Sequence, residues 1–114
     1  MGGQSVQIKV TGSRGGISVV QLDGVLDRNS VPDIRKKLIK LARNREVSKL
    51  ELDFSRVASI DTAGVALLVE IMKYLSFKRG RVQLREANEQ VQRMIRLARL
   101  DSIFEMKVHT DDEI

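Results

Sequence analysis

The sequence predicts an α/β domain built on a mixed, mostly parallel sheet of four to five strands that opens with an antiparallel hairpin. Three observations carry that expectation. From residue 17 onward, segments with the two-residue period of strands alternate with segments of helical period, as in β-α-β units. Two strand-like segments at the start flank a glycine-rich turn. The length of 114 residues, with 42% hydrophobic and 31% charged residues, suits a single domain over 1–114, with its core in 6–108 and a polar tail at 109–114.

The first element is "SVQIKV" (5–10), where Val6, Ile8 and Val10 alternate with polar residues as in a strand with one buried face. "TGSRGG" (11–16) is turn chemistry and "ISVVQLDG" (17–24) resumes the alternation, which predicts a hairpin. A helix follows, with Ser30 as N-cap, Pro32 in the first turn and Asp33 near the positive end of the helix dipole. Its apolar stripe runs from Ile34 through Leu38, Ile39, Leu41 and Ala42, while Arg35, Lys36, Lys37, Lys40 and Arg43 fill the other faces, and it ends near Asn44. "KLELDFS" (49–55) reads as the third strand. From Thr62 to about Phe77 the pattern is helical and apolar on nearly every side, which predicts burial against more than one neighbour, with Gly80 as its stop. "RVQLRE" (81–86) is a fourth strand. Residues 88–100 form a last helix with Asn88 as N-cap and Val91, Met94, Ile95 and Ala98 inward, and "IFEMKV" (103–108) is a short closing strand.

Composition narrows the function. The formal charge of +5 would suit phosphate binding, but an aromatic fraction of 4% offers little for base stacking, so no nucleic-acid partner is expected. An acidic protein or an anionic membrane face fits that charge at least as well, and the stripe Arg93, Arg96 and Arg99 on the last helix is one place where it collects. No apolar run reaches the ~20 residues of a membrane span, and no secretory signal is read at the start, so no membrane insertion is expected. "MGGQSV" carries Val6 where a myristoylation signal has Ser or Thr. With no cysteine, disulfides and thiolate metal sites drop out, and a cytoplasmic address is the simplest.

Catalytic chemistry is hard to assemble. The single histidine, His109, stands beside the polar tail, and no nucleophile is paired with a base. Gly12 to Gly16 lack the Gly-Lys-Ser/Thr ending of a phosphate-binding loop. Asp23 with Asp27, and Asp53 with Asp61, are close in sequence but have no accompanying ligand set. A binding protein without cofactors or metals is expected, rather than an enzyme.

One stretch stands out. "VASIDTAGVALLVEIM" (57–72) places Asp61-Thr62-Ala63-Gly64 where a strand hands over to the greasiest helix. Asp61 or Thr62 caps that helix. Strand-to-helix turns of a parallel sheet lie at the carboxyl edge where functional groups collect, and a hydroxyl at a helix N-terminus suits an added phosphate. Thr62 is therefore a candidate regulatory hydroxyl.

These residues carry a resemblance. "VSKLELDFSRVASIDTAGVALLVEIMKYLSFKRGRVQLREAN" resembles the central segment of the STAS family, the sulphate-transporter and anti-sigma-factor-antagonist domain, and "LDGVLD" (22–27) and "RLARLDSIFEM" (96–106) are similar to its end motifs. The resemblance implies a mixed sheet with helices packed on one side, used as a protein-protein switch. It implies a serine/threonine-kinase anti-sigma factor as partner and Thr62 as the phosphoacceptor. Asp61 would be the acid beside it, Ala63 and Gly64 the small residues permitting close contact, and Asp27 part of the same partner-binding surface. Val25 and Leu100 depart from the family's Glu and Gly, and threonine replaces the usual serine. The same stretch is also similar to the STAS subunit of Mla-type phospholipid-transport ABC systems, which implies an ABC-transporter ATPase as the alternative partner.

Overall fold

A computed structural model describes residues 6–101 and the strand backbone of 105–107. In chain order its elements are β1 (Gln7–Arg14), β2 (Ile17–Leu26), α1 (Val31–Arg43), β3 (Lys49–Ile60), α2 (Thr62–Ser76), β4 (Arg81–Arg85), α3 (Glu89–Leu97) and β5 (Glu105–Lys107). The expected tail, His109 and most of the closing segment lie outside the described residues.

The five strands lie in the order β1-β2-β3-β4-β5, with β1 antiparallel to β2 and all later neighbours parallel. Each crossover steps to the next strand in the same direction, so right-handed connections bring all three helices to one face. Alternation along the strands aims Val20 and Leu22, Leu50, Leu52 and Phe54, and Val82 and Leu84 at the helices, and all seven are buried. Their neighbours Gln21, Lys49, Glu51 and Asp53 occupy the helix-free face and are half-buried. Helix α2 packs against α1, α3, β3 and β4, which accounts for its all-round apolar character. Val65, Leu67, Leu68, Ile71 and Leu75 are the side chains it buries.

Several boundaries differ from the sequence reading. β1 runs through Thr11 to Arg14, because Gly15 and Gly16, with φ of 59° and 85°, make the reversal on their own and leave the preceding residues free to pair. A bulge between Val10 and Gly12 absorbs the irregularity. β3 continues past Ser55 to Ile60 and stays paired with β2 as far as Leu26 and Ile60, with irregularities between Gln21 and Asp23 and between Gly24 and Val25 that shift the register. α2 is closed by Arg79 in the left-handed region (φ 60°), one place before Gly80. α3 ends at Leu97. Arg99 there turns left-handed, so that the Leu100 N–H bonds the Ile95 carbonyl at 3.0 Å, and Arg99 leaves the helical stripe of Arg93 and Arg96.

On the helix-free face, burial acts to raise the pKa of Asp53, but the Ser55 backbone N–H at 2.9 Å, the Ser55 hydroxyl, Gln21 and the Arg85 charge outweigh it and hold the carboxyl below its ordinary range. A carboxyl depressed in this way stabilises the fold above its unfolded pKa and loses that contribution as the pH falls through the folded value. Urea denaturation followed from roughly pH 6 to pH 2 is therefore expected to show wild type losing stability more steeply below about pH 4 than Asp53→Asn. Parallel curves would count against any energetic role for these contacts.

Candidate functional site

The register pair Leu26 and Ile60 brings the ends of β2 and β3 side by side at the carboxyl edge of the sheet. Two turns leave from there. One runs through Asp27, Arg28, Asn29 and Ser30 into α1, and the other passes through Asp61 directly into α2.

Asp61 joins them. Its backbone is extended (φ −113°, ψ −169°), and its N–H donates to the Leu26 carbonyl at 3.0 Å. One carboxylate oxygen accepts from the N–H groups of Ala63 at 2.8 Å and Gly64 at 3.1 Å, which caps α2 where the dipole favours a negative charge. The other oxygen accepts from the Arg28 N–H at 3.2 Å, across to the β2-α1 turn. Of the two candidate caps, Asp61 is the one that acts.

Asp27 does the corresponding work for α1. Its Oδ1 accepts from the N–H groups of Asn29 and Ser30, both at 2.9 Å. The expectation that Ser30 caps α1 is corrected here. Ser30 is buried, makes no side-chain cap bond, and spends its hydroxyl donating to the Val25 carbonyl at 2.5 Å while accepting from the Asp27 N–H at 3.0 Å. The reason is geometric: Pro32 in the first turn has no N–H to offer, and the Asp33 N–H is taken by the Ser30 carbonyl at 3.0 Å.

Thr62 is the first residue of α2, exposed, and its hydroxyl makes no hydrogen bond among the described residues. Ala63 and Asp61 are half-buried. Gly64 is buried, and its smallness has a packing reason within the fold. A Cβ there would stand 2.4 Å from Ile60 Cγ1 and 2.9 Å from the Leu26 carbonyl oxygen, so this glycine lets α2 settle onto the strand ends.

Two residues that the sequence reading left without a role here complete the support. β4 pairs with β3 only as far as Asp53 and Arg85, which leaves 54–60 without a neighbouring strand on that side. Side chains of α3 take its place. Gln90 accepts from the Ile60 N–H at 2.9 Å and donates to the Ile60 carbonyl at 3.0 Å, as a strand backbone would. The Asn88 amide donates to the carbonyls of Val57 at 3.2 Å and Ala58 at 3.0 Å, while its oxygen caps α3 through the Val91 N–H at 2.9 Å, as expected. The sequence carried no signal for this, since the mismatch between a 12-residue strand and its 5-residue neighbour emerges only in the structure. Among the described residues no three His, Asp or Glu side chains cluster as a metal site, and no helix is long and apolar enough to cross a membrane.

A family model described as Mlab, STAS domain, matches residues 4–107. The chain belongs to the STAS family. Solved structures agree with that assignment. The domain is similar to an anti-sigma factor antagonist from Mycobacterium paratuberculosis, at 22% identity over 94% of this chain and 89% of that one, with a TM-score of 0.79. It is similar to a candidate anti-sigma factor antagonist from Thermotoga maritima, at 30% identity over 83% and 82% of the two chains and a TM-score of 0.70. It also matches the Bacillus cell fate determinant SpoIIAA in its phosphorylated form, at 22% identity over 94% and 95% and a TM-score of 0.71. The STAS fold expected from the motifs, with its N-terminal hairpin and one-sided helices, is the fold observed.

The geometry separates a structural acid from an available hydroxyl. Asp61→Ala is expected to cost about 1–2 kcal/mol, through the lost cap and the lost tie to Arg28. Thr62→Ala, at an exposed position, should stay within ~0.5 kcal/mol of wild type. Gly64→Ala should lose about 1–3 kcal/mol from overpacking despite the better helix propensity of alanine. Denaturation midpoints decide among these, and a Gly64→Ala chain more stable than wild type would refute the close-packing account.

Proposed function

We propose that this STAS domain is an anti-sigma-factor-antagonist-like regulatory module. It docks through Thr62 and the neighbouring Asp27 turn onto a serine/threonine-kinase anti-sigma factor, and phosphorylation of Thr62 releases it. The observation that carries the reading is the free, exposed Thr62 hydroxyl at the carboxyl edge, next to an acid whose oxygens are already engaged in folding.

Phosphate on Thr62 adds about −1.5 to −2 charges. At the first residue of α2 the helix dipole favours that charge, so the fold tolerates it. What the charge alters is the docking surface, where Asp27 and Asp61 already stand and an acidic or close-packed partner surface would have to desolvate it. The chain superposes almost equally on SpoIIAA in its unphosphorylated and phosphorylated forms, with TM-scores of 0.72 and 0.71, which supports a phosphate that acts at the surface without refolding the domain.

The description of the matching family favours a second reading, in which the same face holds the ATPase of a phospholipid-transport ABC complex and Thr62 is a contact that needs no phosphate. Incubation with the cognate kinase and ATP followed by mass spectrometry tests the first reading, with phosphate expected on Thr62. Thr62→Glu should weaken kinase binding at least ~10-fold with a melting temperature within ~2 °C of wild type. A large fall in melting temperature accompanying lost binding would reject the surface mechanism. Absence of label, together with stable co-purification of Thr62→Val with an ABC ATPase, would select the second reading.

A further inference from the structure

Most of the formal charge of +5 sits on one helix. α1 carries Arg35, Lys36, Lys37, Lys40 and Arg43 against a single acid, Asp33. Lys36, Lys40 and Arg43 follow one another at spacings of four and three residues, so they share a ridge. That ridge borders a groove of about 710 Å³ between α1 and α2, lined by Arg35, Lys36, Ile39, Lys40, Arg43 and Tyr74. Tyr74 lies about 18 Å along α2 from Thr62 at 1.5 Å per residue, so the groove is separate from the candidate docking face.

We propose that this groove is a second docking site, which receives an acidic segment of a partner protein. Arg35 of the groove already holds one carboxylate, from outside the lining. Glu70 of α2 is gripped by Arg35 through both Nε, at 2.9 Å, and Nη2, the fork geometry by which arginine recognises carboxylates. Arg43 is set over the Tyr74 ring, 5.7 Å from its centroid, which steadies the guanidinium at the floor. Lys36, Lys37 and Lys40 have no acidic partner among the described residues. Like charges four residues apart weaken a helix, so the carboxylates of a bound segment would relieve repulsion that the free chain carries. Ile39 and the Tyr74 ring, both half-buried, supply an apolar floor between the cations.

The lining suits a peptide. Side chains of α1 together with Tyr74 of α2 set cations around an apolar patch of Ile39 and the tyrosine ring, which matches a segment carrying both acidic and apolar side chains. Within the groove, base stacking finds no free platform, since Tyr74, the one aromatic residue of its lining, is covered by Arg43. Charge complementarity then calls for Glu or Asp residues interspersed with an apolar one.

The test uses the full chain and a dye-labelled Glu-Glu-Leu-Glu-Glu-Leu-Glu peptide in fluorescence anisotropy. Lys40→Gln combined with Arg43→Gln should weaken binding at least ~10-fold, while Arg93→Gln combined with Arg96→Gln, which removes the same charge from α3, should change it less than ~2-fold. Equal losses in the two variants, or no binding by wild type, would overturn the proposal. Co-sedimentation with phosphatidylglycerol vesicles forms the other arm. Vesicle binding abolished by the α1 variant, with peptide binding left intact, would replace the protein partner with a membrane.

Discussion

The Asp61 carboxylate is the contact on which the candidate face depends. It accepts three backbone N–H groups from two different segments, and its own N–H is fixed to the end of β2. Without it, the first turn of α2 would have unsatisfied donors and the Arg28 turn would lose its link to β3. Gly64 makes the same junction possible from the packing side, since any side chain there would force α2 away from Ile60 and Leu26. Electrostatics and sterics thus specify a single placement for the start of α2, and Thr62 inherits that placement.

This division of labour has a functional meaning. A residue whose hydroxyl took part in capping could not be modified without loosening the helix. Here the cap is entirely the work of the preceding acid, and Thr62 is free to contact a partner or carry a charge with the scaffold intact. The sheet and its one-sided helices set the site at an edge, while the opposite end of α1 and α2 carries a surface of different chemistry. The two proposed docking sites would therefore use different parts of the same helix pair.

Much of this was legible in the sequence, for identifiable reasons. Period-two alternation in Val20, Leu22, Leu50 and Leu52 and the all-round apolarity of α2 reflect burial, the strongest local signal a chain carries. Thr62 as an exposed hydroxyl at the head of α2 followed from its place in the motif. Turn and cap assignments fared less well at Ser30, because its buried hydroxyl is drawn to the Val25 carbonyl and Pro32 offers no N–H to cap, and only the path of the turn reveals the first of these. Gly64 reads in the sequence as a small residue permitting close contact, and the structure adds a packing reason for its smallness that the sequence alone does not give. Smallness required by a neighbour in the core and smallness required by a partner leave the same letter. Gln90 and the second role of Asn88 were invisible, since an exposed-looking amide gives no sign of which distant backbone it will meet.

The Gln90 amide also bears on how this family can vary. Where a strand edge is satisfied by another strand, changing that support means altering several residues and the register of a ladder. In this chain, the last residue before Asp61 is held on its open side by one rotatable side chain. The open side of this strand end thus rests on two amides, Gln90 and Asn88, together with the packing of α3. A substitution at Gln90 would loosen the residue that leads into Asp61 without altering a single pair of the sheet ladder.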